Sequence, residues 1–196
     1  MAKSEPDPDS IQHFRHPCSL SNRPRLRKEL IMSYDRADWH YGGDYPKDMP
    51  PENGGTHIGI FLAWAIIHHL EGDLHHEGER DEQALQAIRD RTITGRDFLF
   101  RQCDEKFTDE DLNEEGNRFA TWYYESNLEG RPCYLDDYGQ VFSDLTKESL
   151  YYLENTWANY GRMEPVIDRR FDEWKHGVRP LPLKMPQKAK PWWKFW

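Results

Sequence analysis

Apolar residues run without a break from Ile60 to Ile67, and ten of the fourteen positions from His57 to Leu70 are apolar. A surface helix shows a single apolar stripe, whereas a helix apolar on nearly every side is stable in water only when other elements surround it. The pattern therefore predicts a central core helix over 57–70. Gly54 and Gly55 break the chain ahead of it, Thr56 is placed as its N-cap, and Gly72 stands where a C-terminal glycine belongs.

Weaker periodicities follow. A second helix is predicted from Glu79 to Arg91, with Leu85 and Ile88 on one face. Thr94 with Asp97 has the spacing of a capping box and opens a short helix through Phe98, Leu99 and Phe100 to Cys103. Thr108 with Asp111 repeats that spacing and starts a longer helix carrying Leu112, Phe119, Trp122 and Tyr123. Tyr134 to Phe142 and Ser149 to Trp157 read as short helices. Pro165 is placed to open the last one, with Val166, Ile167, Phe171 and Trp174 at helical spacing and Gly177 as its stop. There is no convincing alternating strand and no internal repeat. The expected fold is all-α, a single-domain helical bundle of about five to seven helices around the apolar one. The domain is expected over 29–178, between a flexible segment at 1–28 and an extended tail rich in Pro, Lys and Trp at 179–196.

Composition narrows the possible functions. The 196 residues include 35 acidic and 26 basic side chains, a formal net charge of −9. Nucleic-acid binding draws its affinity from Lys and Arg on phosphates, so this balance argues against it despite Arg23, Arg25, Arg27 and Lys28. Eight Trp and 14% aromatics, in a chain of mean hydropathy −0.98, suggest a core of large rings under a charged skin. Cys18, Cys103 and Cys133 are odd in number and widely spaced, which suits a reduced compartment. With no secretory signal and no apolar run of membrane-spanning length, a cytoplasmic location is expected.

Candidate chemistry concentrates in three places. The Gly- and Pro-rich loop before the apolar helix gathers His40, Asp44 and His57, with Trp39 and Tyr45 as possible walls and Asp35 and Asp38 nearby in sequence. His and Asp are residue types that bind zinc or iron, but HExxH and facial-triad spacings are absent, and no metal ligand or cofactor is assigned. The plainer alternative has His40 and Asp44 hydrogen-bonded to loop amides and His57 satisfying the start of the helix. His68, His69, His75 and His76 read as a wet helix terminus. The second place is an acidic block, Asp104, Glu105, Asp109, Glu110, Asp111, Glu114 and Glu115, which suits either a solvated helix start or a surface that docks on something basic. The third is the tail, where Trp192, Trp193, Lys194, Phe195 and Trp196 suit weak membrane contact or an aromatic plug for a protein groove. No nucleophile elbow or phosphate loop is present, and no catalytic residue is assigned.

The run WHYGGDYPKDMPPENGGTHIGIFLAWAI resembles a family of small bacterial proteins, a domain of unknown function, that carries a WHxGGDxP loop followed by THIGxFLAWAI. Cys103 to Ala120 and Leu153 to Lys175 are similar to the same family, so the resemblance spans about residues 30 to 176. It implies no mechanism and no residue roles. Small, acidic, helical bacterial proteins often act as immunity proteins that silence a toxin, and on that analogy the expected function is protein binding through an acidic surface. A metal-binding protein or hydrolase centred on the Trp39–His57 loop, and a membrane adaptor using the aromatic tail, are the alternatives.

Overall fold

A computed structural model describes residues 31–42, 45–126, 131–146 and 149–177, all within one unit of the chain. The segments expected at 1–28 and 179–196, with the aromatic tail, lie outside the described residues, as does Asp44. Among the described residues the chain is mostly helical. Its six helices are α1 (Thr56–Ile67), α2 (Glu79–Arg89), α3 (Gly95–Gln102), α4 (Glu114–Tyr123), α5 (Tyr134–Val141) and α6 (Trp157–Lys175). None is long and apolar enough to cross a membrane.

The apolar helix is buried as its composition demands: eleven of its twelve residues are buried. Phe61 sits among Phe107, Phe119, Tyr124 and Tyr134, with ring centroids 5.0–6.1 Å away. Trp64 donates its indole N–H to Asp168 of α6 at 2.8 Å and meets Phe171 edge-on. On the opposite side α1 meets α3 backbone to backbone, because a methyl group on Gly59 would overlap Arg96 and one on Gly95 would overlap Gly59. Only glycine allows that approach.

The ends of α1 differ from expectation. Thr56 lies inside the helix and Gly55 is the cap, because the 3-10 turn Pro51–Gly55 runs straight into it. At the other end His69, not Gly72, takes the left-handed conformation (φ 57°). Leu70 N–H bonds to Ala65 and His69 N–H to Ile66, which completes a Schellman motif. Gly72 is instead pressed against the backbone around Glu110 and Leu112.

Elsewhere the sequence pattern holds better. In α2, Leu85 and Ile88 are fully buried, and Thr94 with Asp97 forms both halves of its capping box. Thr108 and Asp111 also form theirs, but it encloses the 3-10 turn Asp109–Asp111; Asn113 then caps α4. Helix α6 begins at Trp157 under a Thr156 cap, so Pro165 lies within it. Pro165 and Gly161, whose carbonyl loses its partner, are both exposed, so water can take the place of the missing bond. Gly177, at φ 60°, ends the helix as expected.

An antiparallel ribbon, β1 (Ser33–Arg36) with β2 (Lys106–Thr108), is the departure from an all-α pattern. A bulge between Ser33 and Asp35 breaks the register, and the consecutive residues Tyr34 and Asp35 are both buried. That irregularity places a carboxylate in the interior.

Candidate functional site

Five elements converge on Asp35. The carboxylate comes from the bulged strand β1, His40 from the 3-10 turn Ala37–His40, and His57 from the first turn of α1. Tyr124 sits at the C-terminal cap of α4, and Tyr151 lies in the 3-10 turn Leu150–Tyr152. Asp35 Oδ1 accepts from the Arg36 N–H at 2.8 Å and from His40 Nε2 at 2.9 Å. Its Oδ2 accepts from His57 Nε2 at 3.0 Å and from the Tyr124 hydroxyl at 2.8 Å. His40 Nδ1 lies 3.0 Å from the Tyr151 hydroxyl.

Protonation follows from these contacts. Burial alone would raise the Asp35 pKa, but the hydrogen bonds from His40 and His57 outweigh it and hold the group well below the ordinary carboxylate range. An ionised carboxylate only accepts, so both Nε2 atoms donate to it. Burial pushes the His57 pKa down, against the opposing pull of Asp35, and favours the neutral ring. Tyr124 is raised by burial and by the adjacent Asp35 charge.

The loop residues picked out from sequence meet different fates. His40 and His57 come together, with ring centroids 4.6 Å apart and Asp35 as a common partner. Tyr45 is one layer removed: its ring packs on Tyr151 at 4.7 Å and its hydroxyl donates to the Pro50 carbonyl. Trp39 does not wall a pocket; it is exposed, with the Arg36 guanidinium over its ring. Tyr124 and Tyr151 had no sequence signal beyond being aromatic, since only the fold brings them to Asp35.

The acidic block divides. Asp111 is not on the surface; at 2% exposure it binds Thr108 N–H and Oγ through Oδ2 and His75 Nε2 through Oδ1. His75 is buried with it, so that histidine does not belong to a wet terminus. Cys103 completes this second centre, its thiol pKa raised by burial and then by Asp111. Asp109 accepts from Met32 N–H, Glu105 from the Tyr41 hydroxyl, and Asp104 and Glu115 pair with Lys106 and Lys175. Glu110 and Glu114 are exposed. The turn Asp109–Asp111 packs against the turn Asp73–His76, which also packs against α2, whose first turn carries Glu79, Asp81 and Glu82.

Residues 33–153 match the family described as Domain of unknown function (DUF7832), and the chain belongs to that family. The matched span contains both buried centres. Neither a curated protein nor a solved structure matches the chain.

Proposed function

We propose that this is a protein-binding protein of the immunity type, a cytoplasmic helical bundle that silences a toxin by seating an acidic face on a basic surface. The observation that supports the reading is the packing of the acidic turn Asp109–Asp111 against the turn Asp73–His76, which itself packs on α2 with its acidic first turn. Asp73, Glu77, Glu79, Glu82 and Glu110 are exposed there, with Leu74 left 42% accessible among them and Arg80 and His76, which bonds Glu82 at 2.7 Å, as the opposing exposed groups. An apolar contact inside a charged surround is the usual anatomy of an interface. Like charges held this close raise the local potential, which speeds the approach of a basic partner and rejects acidic ones. The block read from sequence thus contributes Glu110, while α2 supplies more of the face than that block does.

The test is a captured partner studied as a purified pair. The partner should be basic, bind one to one, and lose its toxic activity in the complex. Reversing Glu79, Glu82 and Glu110 to Lys should slow association by about tenfold or more at low salt, and added salt should slow the wild type in the same direction. A complex whose association ignores both salt and charge reversal would count against this face.

A further inference from the structure

We propose that Asp35, His40 and His57 form a binding site for a divalent first-row transition-metal ion, with zinc as the matching probe. This goes beyond the docking face, which shares none of these residues. The donor set, two imidazole nitrogens and one carboxylate, is one that zinc takes in proteins. The three candidate ligand atoms already lie within 4.8 Å of one another. With bonds of about 2.0–2.1 Å, a tetrahedral ion spaces its ligands by roughly 3.4 Å; His40 Nε2 already lies 2.9 Å from Asp35 Oδ1 and His57 Nε2 3.0 Å from Oδ2, so both rings face the same carboxylate at close to ligand spacing.

The surroundings fit this role as well as the ligands do. Both rings turn the same atom, Nε2, towards the carboxylate. Entry of the ion replaces two N–H···O bonds, and each ligating imidazole then carries its proton on Nδ1. For His40 the acceptor is in place: the Tyr151 hydroxyl oxygen lies 3.0 Å from Nδ1. Asp35 retains Arg36 N–H and the Tyr124 hydroxyl as supports from outside the ligand set. The ligands sit on a strand, a turn and a helix, so the site is organised before the ion arrives. The His40 side chain, 10% exposed, provides the edge open to water.

The decisive experiment uses the full chain without a histidine tag, stripped with chelator and then given zinc chloride. One ion per chain should survive desalting, and at about a hundredfold excess over Kd the Tm should rise by roughly 5–10 °C. Both effects should vanish in the double variant His40→Gln, His57→Gln. Glutamine retains an N–H donor towards Asp35 but ligates metal poorly, so this variant preserves the hydrogen bonds. A wild type that holds no zinc and shows no Tm shift overturns the proposal, as does equal retention by the double variant. Cobalt in the wild-type chain tests the assignment without any substitution. Ligand-field bands lacking a sulfur charge-transfer band support the Asp35 site, whereas a strong sulfur band places the ion on Cys103 with His75 and Asp111 and overturns it.

Discussion

Asp35 on β1 and Asp111 in the turn after β2 are both buried, and the chain holds them in opposite ways. Asp111 is gripped from next door: Thr108, three residues back, gives it an N–H and a hydroxyl, and His75 reaches it from 36 positions away. Asp35 takes one bond from its neighbour Arg36 and three from side chains 5, 22 and 89 positions away. The first carboxylate is placed by the chain around it. The second is placed only when the whole fold has assembled, so it ties strand, turn and helices into one unit.

The contrast is broken most directly by removing each carboxylate. Asp35→Leu leaves two imidazoles, the Tyr124 hydroxyl and a backbone N–H facing an apolar group in the interior. Loss of about 3–5 kcal/mol is expected in urea unfolding, because several buried donors lose their charged acceptor at once. Asp111→Leu should cost less, about 2–3 kcal/mol, because Thr108 is only half-buried and water can reach it. Equal losses would show that the distant partners add nothing to the local box.

Acid titration sharpens the same comparison. The folded-state pKa of His57 lies below its ordinary 6.5, so the unfolded chain takes up the proton first. Stability from this group is full above pH 6.5 and falls as pH drops from there towards the folded value. Asp35, also depressed, adds a further loss below the ordinary carboxylate pKa of 3.8. Urea midpoints measured across this range should therefore decline below pH 6.5, and His57→Gln should flatten the upper part of the decline. An unchanged slope in that variant would assign the acid limb to other groups. The smallest effect is expected at the second centre: Cys103→Ser should cost about 1 kcal/mol or less in the same assay, since a hydroxyl replaces a thiol of similar shape that already faces Asp111.

Legibility follows the same division between near and far. The box of Thr94 and Asp97, the buried face of α2 and the saturation of α1 with apolar residues are local or periodic features, and all were readable. The ribbon was not, because strands of four and three residues are too short for alternation to register, and a bulge disrupts one of them. Thr56 and Gly72 carried good capping chemistry, yet the incoming 3-10 turn and the left-handed His69 took those roles. Pro165 misled because an exposed helix face tolerates the missing bond. Of the candidate site, His40 and His57 stood out by residue type, and Asp35 was visible only as a neighbour in sequence. Its position as the common acceptor depends on Tyr124, and nothing local links the two.

The burial of α1 also bears on how the protein is made. A ribosome delivers this helix well before α6, which supplies Asp168 for its Trp64 and Phe171 for its aromatic flank. Until about a hundred further residues have emerged, the side of α1 that Asp168 and Phe171 cover stays open to water. Nascent chains that stop short of α6 are thus the natural clients of holding chaperones, and a synthesis slowed between α3 and α6 prolongs the interval in which aggregation competes with folding.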